Sequence, residues 1–204
     1  MTAPHTIVFD LGGVLIDWNP RYLYRKLFNG DEAAMERFLT EVANGAWNHE
    51  QDAGRPFAEG IRLLQAQHPE HADLIAVYWE RWKEMIGGPI AGTVDLIDRL
   101  HRAGIPLYAL TNWSGETFPI ARGWYPFFEY FKGIVVSGDE KIAKPDQRLY
   151  KILIERYHLD PPATVYLDDV VANVQAAESV GFIGHHFVGS AGLETRLRAL
   201  GFEF

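Results

Sequence analysis

Residues 7–17 read IVFDLGGVLID, an apolar run that halts at Asp10 and turns at once through Gly12 and Gly13. A run of this kind reads as a strand buried on both faces. A carboxylate is no natural core residue, so its place at the end of that strand points to chemistry.

Similar runs recur at 106–111 (PLYALT), 133–137 (GIVVS), 164–168 (TVYLD) and 183–188 (IGHHFV). Between them lie helical patterns such as TVDLIDRLHRAG at 93–104 and DQRLYKILIERYHL at 146–159, the second opened by the N-cap residue Asp146. Short apolar strands alternating with helices predict an α/β fold, a Rossmann-like parallel sheet covered on both faces. From 18 to 88 the alternation stops. That stretch holds PRYLYRKLF, DEAAMERFLTEVA, PFAEGIRLLQAQ and HADLIAVYWERWKEMI, all helical in period and none a convincing strand. Pro20 suits a first helical turn, and GGP at 87–89 marks the return. The expected organisation is a core of residues 1–16 and 89–204 with a helical cap, residues 17–88, inserted into it.

At 204 residues the chain can bury one sizeable core with a smaller satellite. Its 48% hydrophobic and 23% charged residues are those of a globular domain. A net charge of −8 opposes nucleic acid and anionic membrane surfaces as partners, so a phosphate must be met by a local positive site. The lack of cysteine excludes disulfides, thiolate catalysis and Cys-ligated zinc. MTAPHTIVFD shows no basic region followed by a long apolar one, and no window approaches the ~18 apolar residues of a membrane span. The expectation is a cytoplasmic protein, in which the NWS sequon at Asn112 is accidental.

In open parallel sheets ligands gather outside the carboxyl ends of the strands. Asp10 closes the first strand, Thr111 the second and Asp168–Asp169 the fourth, while Lys144 lies in EKIAKPD after the third. Asp10 and Asp169 can share Mg²⁺ with the backbone carbonyl of Gly12. With Lys144 and the metal neutralising phosphate oxygens and Thr111 donating a hydrogen bond, Asp10 can attack phosphorus in line.

Four segments, VFDLGGVL, ALTNW, KIAKPD and YLDDVVANVQAA, occur in that order, each at a strand end. In this the chain resembles the haloacid dehalogenase superfamily, in particular its helical-cap subgroup and the bacterial glucose-1-phosphate phosphatase type. The resemblance implies a Mg²⁺-dependent phosphatase for a small phosphorylated substrate, plausibly a sugar phosphate. It makes Asp10 the nucleophile and a metal ligand, gives Thr111, Asn112 and Lys144 to the phosphate, and assigns Gly12 and Asp169 to Mg²⁺. Asp168 reaches the metal through water, and Asn173 braces the loop.

One position departs from the family. Its phosphatases usually carry a second aspartate two residues after the nucleophile, as a general acid and base, and here that position is Gly12. Either the leaving group departs easily, or water, Asp17, His49, Glu50 or Asp52 supplies the proton. A 2-haloacid dehalogenase with the same nucleophile and a non-catalytic protein binding a phosphate ligand are the alternative readings. Adjacent carboxylates at 168–169 oppose the dehalogenase, whose substrate is itself an anion.

Elsewhere, His185 and His186 fall on opposite faces of a strand and do not form a joint metal site. HPEH at 68–71 reads as a helix-to-helix turn. WYPFFEYF at 124–131 reads as packing beside the sheet, with a dimer face as the alternative, so the chain is expected to be a monomer or homodimer. Arg21, Arg25 and Arg55 read as solvated.

Overall fold

The computed structural model describes residues 4–204. Met1, Thr2 and Ala3, which belong to the expected core segment 1–16 and to the stretch searched for a leader, lie outside the described residues.

Among the described residues seven strands form, β1 (Thr6–Phe9), β2 (Ile16–Trp18), β3 (Ile86–Pro89), β4 (Leu107–Thr111), β5 (Gly133–Val136), β6 (Thr164–Asp168) and β7 (Ile183–His186). Five of them make one sheet in the order β5-β4-β1-β6-β7, with every neighbouring pair parallel. The chain builds outward from β1 through β4 to β5, then returns to β1's other side for β6 and β7. That reversal makes the carboxyl ends of β4, β1 and β6 a topological switch point, where a crevice opens.

Alternation along the strands sends side chains to two cores. Ile7 and Phe9 face one side with Leu107, Ala109, Val165 and Leu167; Val8 faces the other with Leu110, Val135 and Tyr166. Helices α1 (Arg21–Leu27), α2 (Glu32–Arg37), α3 (Gly45–Asp52), α4 (Phe57–Gln67) and α5 (Ala72–Glu80) follow β2 in the chain. After β3 come α6 (Ala91–Arg102), α7 (Phe118–Arg122), α8 (Ser137–Glu140), α9 (Gln147–Tyr157), α10 (Val171–Ser179) and α11 (Ser190–Ala199). α6 and α11 cover the first face through Leu96, Ile97, Leu100, Leu193 and Leu197; α9 and α10 cover the second through Leu149, Tyr150, Leu153 and Ala177. Asp146 caps α9 by accepting from the Arg148 N–H at 2.9 Å. Phe127, Phe128 and Phe131 of the aromatic block are buried in the first core, while Trp124 is exposed and stacks on Trp82.

Residues 23–85 make a third apolar cluster, with Tyr24, Phe38, Trp47, Phe57 and Tyr78 at its centre. The chain enters and leaves this helical segment through an antiparallel ribbon, in which Ile16 lies opposite Pro89 and Asp17 opposite Gly88. Sequence reading gave no strand between 18 and 88, and this ribbon corrects it. Its two short strands are about seventy residues apart and carry no alternation of their own, so only their pairing defines them. Among the described residues no helix is long and apolar enough to cross a membrane.

Leu110 is wholly buried between the central strands and the helices on the second face. Leu110→Ala is expected to lower stability by about 2–5 kcal/mol, read as a shift of the urea midpoint.

Candidate active site

Asp10 follows the last residue of β1, where Leu11 N–H donates to its Oδ1 at 2.6 Å. The chain then reverses, Gly13 taking a φ of +71° and its N–H bonding Ile16 O at 2.9 Å. A side chain at Gly13 would run into the Asp169 carboxylate, whereas nothing lies within 4 Å of where a Cβ would stand on Gly12. Gly13 is therefore fixed by both backbone conformation and close approach. Gly12 is not crowded.

Lys144 is 1% exposed, and its ammonium has three acceptors: Asp168 Oδ2 at 2.6 Å, Asp10 Oδ2 at 3.0 Å and Leu110 O at 3.1 Å. Asn112 holds it there. Its carboxamide oxygen accepts from Lys144 N–H at 2.8 Å while its Nδ2 donates to Lys144 O at 3.0 Å. The Asn112 side chain, expected on the phosphate, is thus engaged with the backbone of the lysine loop, which a side-chain amide suits better than a charged group.

Asp168 is also buried and accepts from Tyr166 OH at 2.7 Å, Val170 N–H at 2.9 Å, Asn173 Nδ2 at 3.0 Å and Lys144. Asn173 braces the loop as expected. With both oxygens occupied by donors, Asp168 fixes Lys144 and leaves the cavity side to Asp169. Lys144 and these donors hold its pKa below the usual value against the effect of burial. Burial pushes Asp10 the other way, up to about 8, with the Asp168 charge adding to the rise and Lys144 opposing it. Two carboxylates share one ammonium, so the cluster is short of positive charge. Asp169 stays open to solvent on one side; desolvation of the side turned to the cluster, with the Asp168 charge, raises its pKa as well.

These groups fit a hard cation. Oxygens of Asp10, Asp168 and Asp169 lie within 4.8 Å of one another, at a site short of positive charge. Thr111 Oγ1, at the end of β4, is buried and finds no hydrogen-bond partner among the described residues.

A cavity of about 270 Å³ opens over Asp10, Gly12, Gly13 and Asp169. Sequence reading missed most of its wall: Trp18 from β2, Phe57 from α4, Trp82 after α5 and Trp113 after β4, with Asn48. Phe57 and Trp82 lie inside helical patterns and look like core until the segments pack, and Trp18 and Trp113 carry no local sign of facing a cavity. Of the candidates for a proton donor, Asp52 reaches the cavity, whereas Asp17 accepts from Tyr22 OH at 2.6 Å in the ribbon. His49 and Glu50 do not line it. Arg21 pairs with Glu36, Arg25 with Glu32, and Arg55 donates to Gln51.

A carboxylate beside a clamped ammonium thus stands at the switch point of a parallel sheet, with a cavity open over it. The sequence pattern of the haloacid dehalogenase-like hydrolases matches residues 4–181, and the chain belongs to that family. The chain is 25% identical to a sesquiterpene phosphatase of Aspergillus oryzae over 193 residues, 95% of this chain and 94% of that protein. It is 25% identical to a phosphorylated carbohydrates phosphatase of Thermotoga maritima over 189 residues, 86% and 81% of the two chains. Its fold matches a variant of a haloacid dehalogenase family enzyme from Bacteroides thetaiotaomicron in complex with magnesium and inorganic phosphate. There the TM-score is 0.68, with 20% identity and 90% and 93% coverage.

Two outcomes follow for the protein without metal. Gly12→Ala is expected to change stability by no more than about 0.5 kcal/mol, whereas Gly13→Ala is expected to lose about 1–3 kcal/mol, measured by thermal unfolding. Asp10→Asn is expected to stabilise the protein by about 1–3 kcal/mol at pH 8. The sign follows from the raised pKa of Asp10: the fold favours the neutral acid, so wild-type stability falls as pH rises from 3.8 towards about 8. The uncharged variant escapes that loss. Urea midpoints across the range, with chelator present, should diverge as pH rises.

Proposed function

We propose that this protein is a Mg²⁺-dependent phosphatase that hydrolyses a small phosphate monoester through an aspartyl-phosphate at Asp10. The observation that carries this reading is Lys144, buried between Asp10 and Asp168. An ammonium beside a carboxylate, with the unpartnered Thr111 hydroxyl at the end of the neighbouring strand β4, suits the equatorial oxygens of a transferring phosphoryl group. Asp10, Asp169 and the Gly12 carbonyl would hold Mg²⁺, with Asp168 behind them, and the ion would neutralise phosphate charge.

In the first step an Asp10 oxygen bonds to phosphorus and the ester P–O bond breaks, expelling the organic oxygen. In the second, water attacks phosphorus, the bond to Asp10 breaks and inorganic phosphate leaves. Through both, Thr111 donates to a phosphoryl oxygen, and the Lys144 ammonium, held on its three acceptors, offsets the phosphoryl charge. Residues 17–88 act as the cap, and their aromatic side chains close over the organic part of the substrate. Stacking faces at Trp18, Phe57, Trp82 and Trp113 accept the C–H face of a sugar or a more apolar group. The relatives include a phosphatase of each kind, one for phosphorylated carbohydrates and one for a sesquiterpene.

The test is a panel of sugar 1-phosphates, sugar 6-phosphates and prenyl monophosphates with Mg²⁺, read for released phosphate, alongside 2-chloropropionate read for chloride. Turnover of phosphate esters that chelator abolishes and Asp10→Asn lowers by at least about 10³-fold is the expected result. Phosphate release equal in the two proteins would remove Asp10 as nucleophile. Chloride release insensitive to chelator would replace the reading with a dehalogenase.

A further inference from the structure

We propose that Asp52, at the end of cap helix α3, carries the proton in this reaction, donating it to the expelled oxygen and then taking one from the attacking water. The inference rests on the phosphatase reading above. An alkoxide cannot leave cheaply without a proton, and Gly12 has no side chain to give one. Lys144 is clamped on three acceptors, and Asp168 is held by four donors. Asp10 and Asp169 face phosphorus and the cation. Among the described residues that line the cavity, the remaining ionisable side chain is Asp52.

Its position is built from both sides of the cavity. Asn48, one turn earlier on α3, donates to Asp52 Oδ2 at 2.9 Å and itself accepts from Tyr78 OH on α5 at 3.0 Å. The core reaches up to meet it. Ser114 N–H, after β4, donates to the carboxylate, and Ser137 Oγ, after β5, donates to the Asp52 carbonyl at 2.5 Å. Gly54, at φ +96°, lets the following turn press onto Gly138 O. These bonds fix a cap side chain relative to Asp10 through the loops that also position Asn112 and Lys144.

Its surroundings suit the task. Burial pushes the Asp52 pKa up to about 7, opposed by the Ser114 N–H and by Lys144; the ionisable groups facing it are Tyr78 from the cap and Lys144 from the core. An acid poised near neutrality both gives and takes a proton. In the first step the Asp52 proton goes to the leaving oxygen as the P–O bond breaks, giving a neutral alcohol and an aspartate. In the second, a proton from water returns to Asp52 as the hydroxyl adds to phosphorus.

The discriminating experiment is rapid-quench kinetics of wild type and Asp52→Asn with Mg²⁺, on p-nitrophenyl phosphate and on an alkyl phosphate that the wild type hydrolyses. Nitrophenolate leaves without a proton. The variant should therefore release one equivalent of it in a burst near the wild-type rate, then turn over roughly 10²–10⁴-fold more slowly. On the alkyl phosphate it should show no burst and a first turnover slowed by a similar factor. Equal slowing of the first turnover on both substrates would make Asp52 a structural residue and overturn the proposal, as would an undiminished alkyl phosphatase. If Asp52→Asn does not fold, the wild type decides: a shallow dependence of the first step on leaving-group basicity supports a proton donor, and a steep one overturns it. A wild type inactive on every phosphate ester would refute the phosphatase reading itself, and this inference with it.

Discussion

The Lys144 ammonium is the constraint around which the rest of the site is arranged. It binds the end of β1 through Asp10, the end of β6 through Asp168 and the backbone of β4 through Leu110 O, so one buried charge joins three strands at their carboxyl edges. A lysine buried without partners would lose its proton or unfold the site; here three acceptors, two of them carboxylates, keep it charged against the effect of burial, with its pKa above the ordinary value. One ammonium between two carboxylates leaves negative charge uncompensated. That imbalance gives the site its appetite for a cation and an electrophile.

The supporting groups make sense from the same requirement. Tyr166, Val170 N–H and Asn173 hold Asp168 in place, and Asn112 grips the backbone of Lys144 on both sides of its Cα. None of these groups needs to touch a substrate to matter, because a phosphoryl group is recognised by charges whose positions are fixed beforehand. The cap completes the enclosure by a different principle. Its own apolar cluster gives α1–α5 a core, the β2–β3 ribbon ties them to β1, and hydrogen bonds from Ser114 and Ser137 to Asp52 close the far side. The buried charges sit at the carboxyl edge of the sheet, and the aromatic side chains of Trp18, Phe57, Trp82 and Trp113 wall the cavity beside them.

The sequence by itself determined the parallel sheet, because continuous apolar runs separated by amphipathic helices can bury both faces in few other ways. It also placed Asp10, Thr111 and Asp168–Asp169 at strand ends, since each is a polar residue at the close of an apolar run, and Lys144 in the loop after the third strand. The tertiary structure alone decided what each does with its lone pairs. Nothing local distinguishes Asp168, engaged by four donors, from Asp169 beside it, which is exposed; strand direction sends one inward and the next outward. That the Asn112 amide bonds the lysine loop at both ends was likewise invisible, because the two lie thirty-two residues apart. The β2–β3 ribbon and the aromatic wall of Trp18, Phe57, Trp82 and Trp113 were hidden for the same reason: each depends on segments far apart in the chain. So does the position of Asp52 over the cavity. Periodicity records which face of an element is buried, but not which distant element it is buried against.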